Sequence, residues 1–156
     1  MSPGFLTFQL VENVSPTKER AVGFLTGDQQ LDAKVEFEAL KLKHRDSVKQ
    51  RMDRWCGGHN GPKEHFHGWT EQEFRDCFVF RLNENRFYGF KCHPLRLTQP
   101  AFHLCVLCIH AKKYEWLSEK EELRRVNQWR DSLGARTAIG YVYVDREGKK
   151  NACKPH

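Results

Sequence analysis

Cations and imidazoles gather in the second half of this sequence in a pattern that suits phosphate chemistry. Arg75, Arg81, Arg86, Lys91, His93, His110, Lys112 and Lys113 fall on or beside predicted strands, interleaved with Phe87 and Tyr88. Guanidinium and ammonium groups can hold a phosphodiester, an aromatic ring can stack a base, and an imidazole can move a proton near neutral pH. The same side chains also suit a solvated sheet face, the commoner fate of charge in a basic domain. Two metal-like spacings compete. Cys105 and Cys108 form a Cys-x-x-Cys, yet in a continuous apolar strand residues three apart face opposite ways, so they read as buried thiols. Cys56, His59, His65 and His67 surround a Gly-Gly turn and suit zinc, although a helix stop followed by a His-bearing loop is the plainer reading. No glycine-rich phosphate loop, Gly-x-Ser-x-Gly elbow or His-Glu-x-x-His occurs, which leaves P-loop hydrolysis and the common hydrolase chemistries without support.

These residues need a scaffold, and hydrophobic periodicity supplies one. A strand over 20–25 precedes a Thr26-Gly27-Asp28 turn. Leu31, Val35, Ala39 and Leu42 recur at helical spacing, and Val48, Met52 and Trp55 predict a second helix with Asp46 as N-cap and Gly57-Gly58 as its stop. From Phe74 the period becomes two: Phe74, Phe78, Phe80 and Leu82 share one face, Arg75, Cys77, Val79 and Arg81 the other. A three-residue Asn83-Glu84-Asn85 turn pairs Arg81 with Phe87 and gathers Arg75, Arg81, Phe87 and Lys91 on the second face. A third strand follows over 102–110. Ser118-Glu119-Lys120-Glu121 is a capping box that opens a helix running to Gly134, and 139–144 alternates like a strand before a basic end.

The expectation is one α+β domain spanning 1–156, with two helices near 31–56 on the Phe-rich face of an antiparallel sheet from 74–82, 86–92 and 102–110. With 26 Lys+Arg against 20 Asp+Glu in 156 residues the formal charge is +6, and the length suffices for a core without metal or disulfide staples. The longest apolar run, 104–109, falls far short of the ~20 residues a membrane span needs. The first residues lack a secretory pattern, and cysteines within apolar runs point to a reducing cytoplasm, with no structural disulfide and no structural zinc expected.

In its order of pieces, the stretch from about 35 to 130 resembles the HigB-like branch of the RelE/ParE toxin superfamily. The pieces are Val35-Glu36-Phe37-Glu38-Ala39-Leu40, Val79-Phe80-Arg81, Asn85-Arg86-Phe87-Tyr88-Gly89-Phe90, His110-Ala111-Lys112-Lys113 and Glu121-Glu122-Leu123-Arg124-Arg125-Val126. The resemblance implies a small antiparallel sheet with two N-terminal helices on one face and a C-terminal helix, and it leaves a basic extension over 135–156 uncovered. It also implies the toxin of a type II toxin–antitoxin pair that cuts mRNA on the ribosome with neither metal nor cofactor, opposed by a helix-turn-helix antitoxin. In such cleavage the ribose 2′-OH attacks the adjacent phosphate, a base takes its proton, an acid protonates the leaving 5′-oxygen, and cations stabilise the added charge. His110, Arg86, Lys112 and Lys113 are then the expected catalytic set, with Arg75, Arg81, Phe87, Tyr88 and Lys91 on the RNA. The chain departs from the family in a loop inserted over 92–100 and in a His-Ala-Lys-Lys that is one residue short. Two alternatives stand beside this reading: a RelE/ParE-fold protein that binds a protein target or antitoxin without catalysis, and a zinc-stabilised nucleic-acid-binding module using Cys56, His59, His65 and His67.

Overall fold

Runs such as Ala21-Val22-Gly23-Phe24-Leu25, buried at every position, signal a strand covered on both faces. In the computed structural model, which describes residues 6–14, 20–94, 103–113, 118–139, 143–144, 150–151 and 153–155, that strand lies near one end of a mixed sheet. The elements are β1 (Thr7–Leu10), β2 (Arg20–Thr26), α1 (Ala33–Glu38), α2 (Leu42–Cys56), β3 (Phe66–Gly68), a 3-10 turn (Gln72–Phe74), β4 (Cys77–Leu82), β5 (Asn85–Pro94), β6 (His103–Lys112), α3 (Lys120–Arg130) and α4 (Leu133–Ile139). Two short strands, β7 (Tyr143–Val144) and β8 (Lys150–Asn151), form a separate ribbon, and β9 (Cys153–Pro155) pairs with the end of β5. The sheet order is β1-β2-β6-β5-β4-β3. Among these strands β2 and β6 run parallel, the chain between them carrying α1, α2 and then β3 to β5, while the other neighbours are antiparallel. The protein is thus α+β as expected, but its sheet is mixed and longer than the three antiparallel strands read from the sequence.

Two cores sandwich the sheet. Phe24, Phe78, Phe80, Phe87 and Leu107 meet Phe37 of α1 and Val48, Met52 and Trp55 of α2 on one side. Val79, Tyr88, Phe90 and Val106 meet Leu123 and Val126 of α3 and Ile139 of α4 on the other. Each such side chain withdrawn from water contributes about 1.5–3 kcal/mol, so the second face is a core and not a solvated cationic surface. No helix among the described residues is long and apolar enough to cross a membrane.

Register accounts for the difference in the hairpin. The β4–β5 turn holds two residues, with Asn83 left-handed at φ 53, so Leu82 faces Asn85, Arg81 faces Arg86 and Phe80 faces Phe87. One residue fewer in the turn flips every side chain of β5 relative to the expected pairing. Phe87 therefore joins the Phe-rich core and Arg86 turns to the other face. A bulge between Tyr88 and Gly89 shifts β5 against β6, and Gly89 is the residue that permits it: a Cβ there would lie 2.1 Å from the Val106 carbonyl oxygen.

The helices also differ in detail. α1 buries Ala33 and Phe37, whereas Val35 and Leu42, each 65% exposed, point outward, so the expected apolar stripe is displaced. α2 starts at Leu42, which places Asp46 inside the helix instead of at its cap. Its end follows the sequence signal: Gly58 at φ +100 lets its own N–H reach Trp55 O at 3.0 Å and His59 N–H reach Arg54 O at 3.1 Å, a Schellman closure. α3 begins after Glu119, one residue later than the capping box predicts, and stops at Arg130. Ser132 Oγ then accepts from Ala135 N–H at 3.1 Å and opens α4. The expectations for 95–100, Phe102, Tyr141 and Val142 lie outside the described residues, as do those for the side chains of His93 and Cys153.

Candidate functional site

The carboxyl end of β6, the β4–β5 turn and the junction of α1 with α2 enclose a cleft of about 260 Å³. Lys41, His44 and Lys112 line it together with Glu36, Glu84, Asn83 and Asn85. His110, which pairs with Phe87 across β5 and β6, faces the same side of the sheet with its ring centroid 4.9 Å from that of Phe87. Asp32, just ahead of α1, accepts the His110 backbone N–H at 2.8 Å and fixes this strand against the helix. His110 Nε2 lies 2.8 Å from Asn85 Oδ1; since an amide oxygen only accepts, Nε2 carries the proton and the lone pair of the neutral ring falls on Nδ1. Burial pushes the His110 pKa below the usual imidazole range, against the opposing pull of Glu36 and Asp32 and with help from Lys112. A neutral imidazole near the Lys112 ammonium can take a proton while the cation holds an anion.

Of the expected catalytic residues Lys112 lines this cleft and His110 shares its face of the sheet, whereas Arg86 and Lys113 do neither. Arg86 is 3% exposed on the opposite face, where its Nη1 donates to Asn85 O at 3.0 Å and to Asn83 O, tying down the turn. Lys113 also turns to the α3 side and forms an ion pair with Glu122. The two-residue turn and the alternation of β6 thus split the set: His110 and Lys112 on one face, Arg86 and Lys113 on the other. The base-stacking roles expected of Phe87 and Tyr88 fail for a simpler reason, because both are fully buried. Phe87 packs edge-on to Phe37, and Tyr88 donates its hydroxyl to Glu119 while burial pushes its phenol far above the usual range. Arg81 is half-buried with Nη1 3.2 Å from Lys63 O, Arg75 is exposed beyond the 3-10 turn, and the Lys91 amine sits 5.7 Å above the Phe78 ring.

Sequence reasoning missed Lys41 and His44. The basic run Lys41-Leu42-Lys43-His44-Arg45 was the available signal, hidden because Asp46 looked like the start of the helix. Four of the cysteines are buried thiols held protonated: burial pushes those of Cys56 and Cys77 up to about 12 and those of Cys105 and Cys108 well above the ordinary value. Cys105 and Cys108 enter opposite cores, as strand alternation demands. Cys56 is buried, His59 is exposed, and His67 spends Nδ1 on Gly68 O at 2.9 Å; among the described residues no three His, Cys, Asp or Glu side chains are grouped to hold a metal ion. Comparison with family models, with curated proteins and with solved structures finds no match for this chain.

Proposed function

We propose that this chain is an endoribonuclease of RelE/ParE type, the toxin of a type II toxin–antitoxin pair, whose chemistry takes place at the cleft lined by Lys41, His44 and Lys112, with His110 on the same face of the sheet and hydrogen-bonded to the lining Asn85. The observation that carries the proposal is the His110–Asn85 pair near Lys112: an imidazole whose charged form burial disfavours, held in one tautomer on the face of the cleft that Lys112 lines. From β2 to α3 the chain runs strand, two helices, four strands and helix, an α+β order that keeps the helix pair ahead of the hairpin as the resemblance expects, with β3 as an added strand. In the proposed reaction His110 Nδ1 takes the proton of the ribose 2′-OH as that oxygen bonds to phosphorus. The bond from phosphorus to the 5′-oxygen breaks, His44 in its protonated form supplies that oxygen with a proton, and Lys41 and Lys112 stabilise the charge of the transition state. Translating bacterial extract supplied with the purified chain tests this. Wild type cuts mRNA, His110→Ala loses about 10²–10⁴-fold in rate as expected for a proton-transfer group, and Lys112→Ala loses about 10²–10³-fold. Intact free and ribosome-bound mRNA with the wild-type chain overturns the proposal.

A second reading, a RelE/ParE-fold protein that binds its target or antitoxin and catalyses nothing, draws on the burial of Arg86 and the engagement of Lys113 by Glu122, which withdraw two cations from any phosphate site. Growth arrest upon expression with no RNA cleavage favours it.

A further inference from the structure

The cleft at the far edge of the sheet is larger than the one lined by Lys41, His44 and Lys112, about 320 Å³, and differs from it in character. Its floor consists of the buried rings of Trp55, Phe66 and Phe78, and its rim of the half-buried His67 and Trp69, whose ring centroids lie 4.7 Å apart. Asn60, Lys63, Gly68 and Thr70 complete the lining, and no carboxylate contributes. Cations surround it: Lys63 is exposed on the rim, the Lys91 amine lies over the Phe78 ring, and the Arg20 guanidinium sits 5.0 Å from the centre of the Trp55 ring. Arg20 is fixed there by donating to Trp55 O, His59 O and Asn60 Oδ1 at 3.0, 3.1 and 2.9 Å.

This chemistry selects its ligand. An aromatic cleft can receive a cation through ring faces, but here a guanidinium already covers Trp55 and no carboxylate offsets a further positive charge. A purely apolar ligand would strand the polar groups of the rim. A planar, hydrogen-bonding ring attached to an anion satisfies all of them. Asn60 spends its oxygen on Arg20 and keeps its Nδ2 as a donor; His67 gives its Nδ1 proton to Gly68 O and keeps Nε2 as an acceptor in the neutral ring. We infer that the cleft walled by Trp55, Phe66, His67, Trp69 and Phe78 holds one base of single-stranded RNA, stacked at Trp69, with the flanking phosphates on Lys63 and Lys91. The inference rests on the RNA reading above and deepens it by giving the strand an anchoring point that shares no lining residue with the cleft of Lys41, His44 and Lys112.

The test uses the full chain and a mixed-sequence single-stranded oligonucleotide whose 2′ positions are methylated, so that binding is read without cleavage. Wild type binds the strand with tryptophan quenching. Trp69→Ala weakens binding about 5- to 150-fold, the range for loss of one stacked base, whereas Trp69→Tyr, which keeps a stacking ring, stays near wild type. Lys63→Ala, an exposed change that leaves the core intact, weakens binding and lowers the slope of log affinity against log salt by about 0.7. A strand of the same length without bases binds weakly and equally to wild type and Trp69→Ala. Undiminished binding by a folded Trp69→Ala together with an unchanged salt slope for Lys63→Ala overturns the site, even if the chain cuts RNA. Should Trp69→Ala not fold, tight binding of the base-free strand by wild type has the same force. Trp69-dependent binding in a chain that leaves RNA uncut keeps the site and overturns only the nuclease, and failure of wild type to bind the methylated strand overturns the site.

Discussion

Lys113 and Lys112 are adjacent in sequence and opposite in consequence, and substituting each in turn exposes the split of the cationic set. Lys113 forms an ion pair with Glu122 whose side chains are 19% and 6% exposed respectively, and Glu122 Oε2 has no hydrogen-bond partner among the described residues. Lys113→Ala leaves a carboxylate uncompensated beneath α3. Breaking a buried pair by deleting one partner costs about 3–5 kcal/mol, and the partial exposure of the lysine places this case near the lower end, about 3 kcal/mol. At roughly 2–4 °C per kcal/mol for a domain of this size, the melting temperature falls by about 6–12 °C. Lys112 is exposed, so Lys112→Ala stays within about ±0.5 kcal/mol while its effect on RNA cleavage is large. Thermal melts followed by circular dichroism, with cleavage measured per folded molecule, separate the two. Glu122→Gln removes the charge that needs compensation, so adding Lys113→Ala to it lowers the melting point by less than half as much as in wild type. A melting point for Lys113→Ala within about 2 °C of wild type, or the same drop in the Glu122→Gln background, refutes the reasoning.

Three further outcomes follow from the packing. Gly89→Ala drives a Cβ to 2.1 Å from Val106 O, so the β5–β6 bulge must shift; urea unfolding should show a loss of about 1–3 kcal/mol, and an unchanged midpoint contradicts the close approach. His110 titrates in the fold below its unfolded value, so as pH falls the unfolded chain takes up its proton first and stability declines below about pH 6.5 until the folded pKa is passed. His110→Gln should lose less stability than wild type between about pH 7.5 and 5.5, with His65, also lowered chiefly by burial, supplying the remainder; an identical loss in both proteins removes His110 as a source. Alkylation mapped by peptide should leave Cys56, Cys77, Cys105 and Cys108 unmodified in the native chain and label them in denaturant, and rapid native labelling of any of the four contradicts their burial.

The legible parts of the fold were those with one buried face or a stereochemical stop. Val48, Met52 and Trp55 sit at the only spacing that lines one side of α2, and Gly57-Gly58 ends that helix because a left-handed residue closes it most readily. α1 was harder to read. At six residues it is too short for periodicity to pick a face, and the stripe through Val35 and Leu42 proved to be the solvated side. Covering the sheet on both sides also removed the cue that alternation normally provides. Cys77 and Val79 are as buried as Phe78 and Phe80, so the face opposite the phenylalanines could not be told from a polar one by its strand residues alone.

The candidate site turned on a quantity that sequence pattern fixes weakly: the number of residues in one turn. Asn83-Glu84-Asn85 can close a hairpin with two or three residues, and Asn83 in the left-handed region selects two. That choice sends Arg86 to the α3 face, where it donates to the turn carbonyls, and brings Asn85 to the α1 face, where its oxygen meets His110. Had the turn held three residues, Arg86 would face the same cleft as His110 and Lys112, and Asn85 would be a loop residue with no imidazole to orient. The cation that looked catalytic became a staple, and the residue that looked like a turn former became the partner of the histidine. In a two-faced sheet, then, a cluster of charges close in sequence is a candidate site only after register is known. Across the α1–α2 junction the corresponding signal is the helix start: beginning at Leu42, four residues ahead of Asp46, α2 carries His44 in its first turn to the cleft lined by Lys112.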